Sequence, residues 1–353
     1  MVEEGSAPEL VVMISSPLEP ELVERIRALP VVAEVLYQED LLPPARYPND
    51  HGGDPGFVRD RAQAQRWLDL LGRADVLFGY PGEAGAELAL ALEQAPRVRF
   101  VQGTSAGMGA HIRRAELAPE VLERVAFASA AGVHGAMLAE FVFLGLLWIR
   151  KDGARLTQIR AERAWVHYPM GELDGSTLAV VGMGHIGRAL ATRARAFGVE
   201  VLAVTRQASP EPLADAVYPM SELSQAMRRA DAVAVALPLT PLTDGLVSGA
   251  VMDQLRPTAI VCNVGRGAVV DQDALTAMLD QGRLAGAVLD VFAEEPLPPD
   301  HPLWTMENVV LSPHTASLSA HENERIVDLF AKNLSRLAAG EALLSAVNLR
   351  EFY

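Results

Sequence analysis

Apolar and polar positions along the chain fall into blocks that read as strand, helix, strand. Leu10 to Ser15 (LVVMIS) is a short apolar run, Glu19 to Leu29 carries apolar residues at helical spacing, and Val31 to Tyr37 is a second strand-like run. Residues 39 to 58 (EDLLPPARYPNDHGGDPGFV) break the rhythm. Their density of Pro, Gly and Asp predicts a loop longer than compact domains commonly carry, either an insertion or the border of a site. The alternation then resumes with a helix from about Asp60 to Leu71, a strand over Ala74 to Phe78, a turn at Tyr80-Pro81-Gly82, a helix over Ala86 to Gln94 and a strand over Val98 to Gln102. Strands separated by single helices imply a parallel α/β sheet.

After a mostly polar turn, an apolar helix near Ala136 to Ile149 opens a second series of the same kind. Strands are expected at Thr177 to Val181, Val201 to Val204, Ala232 to Ala236, Ala259 to Asn263, Gly286 to Val291 and Val309 to Ser312, with helices near Leu223 to Arg229 and Gln272 to Gln281. His321 to Gly340 reads as one long helix, expected to return to the first domain. A chain of 353 residues is long for a single core, so two α/β domains are expected.

Composition narrows the class. Half the residues are hydrophobic and 21% are charged, an ordinary globular balance that excludes collagen-like and disordered chains. The formal net charge is -15 with no basic run longer than a dipeptide, so nucleic acid and anionic membrane surfaces would be repelled. Cys262 is the only cysteine and sits in an apolar strand, which excludes an intrachain disulfide or a thiolate zinc cluster and points to a reducing, cytoplasmic compartment. No metal site is expected. The N-terminal residues show no secretory pattern, and the apolar run at 136 to 149 is shorter than the roughly 20 residues a membrane-spanning helix needs.

Gly182-Met183-Gly184-His185-Ile186-Gly187 follows the apolar strand directly and opens a helix, the context in which a GxGxxG pattern binds a dinucleotide. Glycine at 182 permits the tight turn, glycine at 184 lets backbone amides approach a pyrophosphate, and glycine at 187 permits close packing of helix on strand. An acidic residue at the end of the next strand would hold a free ribose 2'-hydroxyl. Here Thr205, Arg206 and Gln207 stand instead, with no carboxylate from Val201 to Gln207 to repel a 2'-phosphate. Arginine can pair with that phosphate, so NADPH is the expected cofactor and NADH the alternative.

Three further polar groups follow predicted strands: Asn263-Val264-Gly265-Arg266, Asp290 to Glu295, and Ser312-Pro313-His314. Open α/β sheets bind ligands at the carboxyl ends of their strands. Hydride transfer to a carbonyl needs a proton donor near neutrality, and a histidine held by a carboxylate supplies one. His314 with Glu295 fits that role, and Arg266 would hold a substrate carboxylate and stabilise charge developing on the carbonyl oxygen. Each alone has a structural explanation, as a turn histidine, a loop glutamate and a backbone-capping arginine. Together, beside a dinucleotide fingerprint, they point to a site. His111, His134, His167, His301 and His321 have no partner that the sequence names.

These motifs, with LPLTPLT at 237 to 243, NVGRGAVVD at 263 to 271, GRLAGAVLDVFAEEPLP at 282 to 298, HPLW at 301 to 304 and SPHTA at 312 to 316, resemble the D-isomer-specific 2-hydroxyacid dehydrogenase family. The resemblance implies two Rossmann-like domains with parallel sheets. The cofactor domain (130 to 316) would be inserted into a flavodoxin-like substrate domain (1 to 129 and 317 to 353). It implies that Arg266, Glu295 and His314 are catalytic. Asp290 would contact the nicotinamide carboxamide, and Leu237, Pro238, Thr243, Val264 and Gly265 would line the cofactor with His185 and Ile186. It also implies that Tyr80 and the loop of Ser105, Ala106 and Gly107 hold the substrate, and that the apolar helix with an arm to about residue 170 makes a homodimer. Thr205-Arg206 is similar to the family's NADP-using glyoxylate/hydroxypyruvate reductase branch, which implies reduction of a small 2-oxo acid to the D-2-hydroxy acid. Two alternatives remain: a non-catalytic NAD(P)H-sensing corepressor of the same fold, and an NAD-preferring 2-hydroxyacid dehydrogenase.

Overall fold

The computed structural model describes residues 9–81 and 85–350, so Gly82 of the expected turn lies outside the described residues. The chain divides into two compact units, one formed by residues up to His134 together with those from Leu318, the other by Gly135–Ser317. The division falls a few residues beyond 129/130 and just beyond 316/317. Local bonds explain the first shift: Ala130 N donates to Ser105 O, Ser345 Oγ to Ala131 O, and His134 meets Glu322, all within the first unit.

The first unit holds a five-stranded sheet of β1 (Leu10–Ile14), β2 (Val32–Leu36), β3 (Val76–Phe78), β4 (Phe100–Gln102) and β5 (Ala126–Ala128), ordered β2-β1-β3-β4-β5 with every pairing parallel. That order is flavodoxin-like. Its helices are α1 (Pro20–Arg27), α2 (Arg61–Arg73), α3 (Gly85–Gln94), α4 (Met108–Ala115), α5 (Pro119–Arg124) and the C-terminal helix Glu322–Ala338. Proline at the start of α1 and of α5 suits a position whose N–H would be unsatisfied anyway. α2 begins at a capping box in which Asp60 and Gln63 exchange side-chain and backbone bonds.

Successive residues of each strand point to opposite faces. Leu77 and Val101 therefore pack with Leu88, Leu92 and Met108, while Val12, Ile14, Phe78 and Phe100 pack with Ile326, Phe330 and Leu334 of the C-terminal helix. Phe330 lies edge-on to Phe78 at 5.1 Å and over Phe100 at 6.1 Å, a burial that contributes about 2 to 3 kcal/mol. The mostly polar turn expected before residue 136 is in fact α4, α5 and β5. The apolar face of α4 is only Met108, Ile112 and Ala115, spread among polar neighbours, and β5 is a three-residue edge strand.

The second unit is built on α6 (Gly135–Arg150), α7 (Gly153–Glu162), β6 (Thr177–Val181), α8 (His185–Ala196), β7 (Glu200–Thr205), β8 (Ala216–Pro219), α9 (Leu223–Arg229), β9 (Ala232–Val235), α10 (Gly249–Met252), β10 (Ile260–Asn263), α11 (Gln272–Asp280), β11 (Gly286–Leu289) and β12 (Val309–Leu311). Its seven strands run parallel in the order β12-β11-β10-β9-β6-β7-β8, the doubly wound nucleotide-binding arrangement with one added strand. β8 was not anticipated, since its half-buried residues form an edge that ends in Pro219. α6 lies against β11 so closely that a side chain at Gly145 would strike Val288. Cys262 is buried in β10, and burial pushes its thiol above the ordinary range. Among the described residues no helix is long and apolar enough to cross a membrane.

His134, the last residue before α6, has its Nε2 at 2.8 Å from Glu322 Oε1 at the start of the C-terminal helix, and both side chains are buried. Among the described residues Glu322 Oε2 has no hydrogen-bond partner, so this carboxyl depends on the one contact. Glu322→Ala would strand a buried imidazole nitrogen. The expected cost is on the order of 3 kcal/mol, read as a lowered midpoint for unfolding of the first unit with the second unaffected. Unchanged thermal unfolding of the first unit would contradict this.

Candidate active site

The glycines after β6 do three different things. Gly182 turns the chain at φ 101°, where a side chain would meet Ala236 O at 2.8 Å. At Gly187 a Cβ would lie 2.0 Å from Gly182 O, so only glycine lets α8 approach the turn. Gly184 faces open space, with no atom within 4 Å of its Cβ position, and no side chain caps the N-terminus of α8 that it precedes. Uncommitted first-turn amides at the positive end of a helix, with room above a glycine, fit a pyrophosphate. His185 is exposed and Ile186 half-buried in that first turn.

Around this turn the structure gathers the other expected cofactor residues of the second unit. Leu237 reaches within 2.8 Å of where a Gly182 Cβ would stand, and a side chain at Gly265 would lie 2.5 Å from Leu237 O. Thr243 is buried and organises the loop after β9, donating to Pro238 O at 2.7 Å and accepting from Thr240 N at 2.8 Å. Val264 is buried beside Gly265, whose N–H donates to Asn263 Oδ1 at 3.1 Å. At the end of β7, Thr205 Oγ1 donates to Gln207 O at 2.6 Å, while the Arg206 and Gln207 side chains are exposed.

The ends of β10, β11 and β12 bring the three chemical groups together. His314 Nδ1 lies 2.8 Å from Glu295 Oε2, and Glu295 Oε1 accepts from Phe292 N at 3.0 Å. Both carboxylate oxygens are thus used, and Nε2 of the ring is left for another partner. Side-chain exposures of 44% for His314 and 37% for Glu295 leave the pair within reach of a ligand. His314 stands at φ 56°, left-handed backbone that is uncommon for a side-chain-bearing residue and that recurs at functional sites. Asp290 is buried, and its Oδ1 accepts from Ser312 Oγ at 2.5 Å and Ala316 N at 3.0 Å, fixing both ends of the turn that carries His314. Arg266 donates from Nη1 to Gly265 O at 2.7 Å, and Asn263 Nδ2 holds the Arg266 carbonyl at 3.1 Å. Burial pushes the Arg266 guanidinium below the ordinary arginine range, opposed by the charges of Glu295 and Asp290.

Asn263, Ser312 and Phe292 stand within the polar strand-end groups of the sequence without a role there, and the structure shows them supporting this site. Gln272, whose Oε1 accepts from Ala293 N at 2.9 Å, belongs with them. Asn263, two residues before Gly265 at a strand end, carried the clearest unused signal.

The remaining candidates lie in the first unit. Tyr80 OH is 3.0 Å from Ser105 Oγ, and the Tyr80 ring stacks on His111 at 4.6 Å. Ser105 and Ala106 are exposed, and Gly107 precedes α4 without a side-chain cap. Tyr80 and Ser105 line a cavity of about 710 Å³ at the carboxyl ends of β1, β3 and β4, together with Ser15 and Thr104. Thr104 Oγ1 is buried there with no hydrogen-bond partner among the described residues. Residues 43 to 59 supply much of the wall, so the long loop borders a cavity. That loop is clasped by Asp50, which accepts from Arg46 N (2.9 Å), Nε (2.7 Å) and Nη2 (2.9 Å) and from Gly53 N (3.1 Å). The bond from Arg46 holds the Asp50 carboxyl down at about 2. Its contribution to stability is complete above an unfolded value of about 4 and is lost as pH falls through the folded one.

A doubly wound sheet with an open glycine turn at a helix N-terminus and a His-Glu-Arg group at its strand ends has the features of a nicotinamide-nucleotide oxidoreductase. The family model for D-isomer specific 2-hydroxyacid dehydrogenase, NAD binding domain, matches residues 144–316. A glyoxylate reductase of Korarchaeum cryptofilum is 34% identical over 265 residues, covering 72% of this chain and 78% of the relative. A solved D-isomer specific 2-hydroxyacid dehydrogenase family protein from Aeromonas salmonicida subsp. salmonicida A449 superposes with a TM-score of 0.77 at 26% identity, over 97% of this chain and 99% of that one. The fold is also that of an NADPH-dependent glyoxylate/hydroxypyruvate reductase from Sinorhizobium meliloti, solved with NADP and sulfate (TM-score 0.76, 23% identity, 98% and 100% covered). The chain belongs to the D-isomer specific 2-hydroxyacid dehydrogenase family and is an NAD(P)-dependent oxidoreductase.

Because Gly184 has open space around it and an ordinary φ of -75°, Gly184→Ala is expected to fold within about 1 kcal/mol of the parent. Its methyl group would occupy the space assigned to the pyrophosphate, so NADPH affinity, followed by fluorescence titration, should fall by roughly tenfold or more. Unaltered affinity would remove the cofactor from this turn.

Proposed function

We propose that the protein reduces a small 2-oxo acid of the glyoxylate/hydroxypyruvate class to the D-2-hydroxy acid with NADPH. The observation that carries this reading is the His314–Glu295 pair at 2.8 Å, with the half-buried guanidinium of Arg266 under the charge of Glu295. Bound nicotinamide supplies the hydride. Arg266 holds the substrate carboxylate and stabilises the negative charge that grows on the carbonyl oxygen as hydride arrives. His314, fixed through Nδ1 by Glu295, gives the proton at Nε2 to that oxygen. Glu295 orients the ring, helped by the bond its other oxygen accepts from Phe292 N. In the first unit, Tyr80 and the exposed backbone of Ser105, Ala106 and Gly107 are assigned to substrate binding.

The cofactor preference is supported by the Thr205-Arg206-Gln207 end of β7, which presents no carboxylate against a 2'-phosphate. We assign Gly182, Gly184, His185, Ile186 and Gly187 to the pyrophosphate turn. Leu237, Pro238, Thr243, Val264 and Gly265 are assigned to the walls around the cofactor, and Asp290 to the nicotinamide end. The unit divided at 134/135 and 317/318 is the dinucleotide-binding domain, and the discontinuous one binds substrate. A cytoplasmic homodimer is also proposed. Exposed apolar side chains on α6, α7 and the following arm support it, notably Leu144, Trp148, Leu156 and Trp165, the last 92% exposed.

Initial rates of NADPH and NADH oxidation, at equal concentrations against glyoxylate, hydroxypyruvate, pyruvate and bulkier 2-oxo acids, test this reading. Turnover with NADPH ahead of NADH is the expected result. Measurable cofactor binding with no turnover on any acid would favour a sensor instead.

A further inference from the structure

The cavity of the first unit is larger than a two- or three-carbon acid needs. At about 710 Å³ it falls in the range that holds ligands of drug size. Seven side chains on its wall can carry charge: Arg46, Asp50, His51, Asp54, Arg59, Glu87 and His111. Most are committed or screened. Arg46 and Asp50 neutralise one another through two side-chain bonds, His51 Nε2 lies 2.6 Å from Asn323 Oδ1, and His111 stacks on Tyr80. Asp54 accepts from Gly56 N at 2.8 Å, and both Asp54 and Glu87 are solvent-exposed, where water and salt screen them.

Arg59 differs. Its Nε donates to Leu41 O at 2.7 Å and its guanidinium lies over the Trp67 ring at 3.9 Å, which fixes the plane of the group. Among the described residues no carboxylate comes within ion-pairing distance of it, and its two terminal nitrogens make no hydrogen bond. The side chain is half-buried, and desolvation pushes its pKa below the ordinary arginine value against the charge of Glu87. A preorganised guanidinium with its outer edge unused, on the wall of a cavity that also holds Tyr80 and Ser105, is built to receive a planar anion. A phosphate would call for a second cation, and the nearest arginine in the loop, Arg46, is consumed by Asp50.

We propose that Arg59 anchors a distal carboxylate, so that within the 2-oxo acids this chain prefers 2-oxo dicarboxylic acids of four or five carbons to 2-oxo monocarboxylic acids of the same length. The inference rests on the reading that the protein reduces 2-oxo acids, and it names the substrate's far end.

The test compares kcat/KM for 2-oxoglutarate with that for 2-oxovalerate, and oxaloacetate with 2-oxobutyrate, in the full-length parent, Arg59→Met and Arg59→Lys. The parent should favour each diacid by roughly tenfold or more, Arg59→Met should erase that ratio through KM rather than kcat, and Arg59→Lys should restore part of it. A parent that turns over 2-oxovalerate or glyoxylate without a preference for diacids overturns the inference and leaves the reductase reading standing. Equal losses on both members of a pair in Arg59→Met, with no recovery in Arg59→Lys, would make Arg59 a support for Trp67 and Leu41 and likewise overturn it. Absence of turnover on every acid would overturn the reductase reading and this inference with it.

Discussion

Every strand pairing in both sheets is parallel, and that single constraint decides where chemistry can occur. Parallel strands need crossover helices on both faces, so the inner strands are buried on two sides and hold apolar residues with few exceptions. Polar side chains are displaced to the strand ends, and because all strands point one way, the carboxyl ends of each sheet collect them together. In the second unit β6 delivers the glycine turn, β10 Arg266, β11 Asp290 and Glu295, and β12 His314. In the first unit the same rule puts Ser15, Tyr80, Thr104 and Ser105 around one cavity. The grouping of these side chains follows from strand direction and needs no convergence of distant loops.

Strand direction supplies proximity, and a second set of bonds supplies aim. Asp290 is the clearest case, since one buried oxygen takes the Ser312 hydroxyl and the Ala316 amide on either side of His314. The left-handed backbone at His314 is held from both sides, and its ring is turned onto Glu295. Glu295 is held in turn by Phe292 N, and Arg266 by Asn263. A side chain on a chain of fixed bonds is preorganised, the condition under which a polar group can act without reorganisation.

The legible part of this protein was its repetition. Apolar runs bounded by turn residues gave nearly every strand of both sheets, because a strand buried on two faces is written as an uninterrupted hydrophobic word. The glycines at 182, 184 and 187 were readable for a related reason: backbone crowding and left-handed φ admit one residue type, so the requirement is visible in the letters. What escaped was short or marginal. α4 and α5 carry too few apolar positions to show a period, and β8 and β5 are edge strands with half-buried or three-residue patterns. The partners that orient the site escaped as well. His134 finds Glu322 across 188 positions of sequence, and Asp290 turns to Ser312, contacts that depend on the tertiary fold and leave no local signature.

The central claim is that His314, aimed by Glu295, is the proton donor to the substrate oxygen. Single-turnover oxidation of bound NADPH by glyoxylate, measured in the parent and in His314→Ala beside a direct titration of NADPH affinity, tests it most directly. The account predicts a rate lower by on the order of 10² or more with cofactor affinity retained. An unchanged single-turnover rate would contradict it.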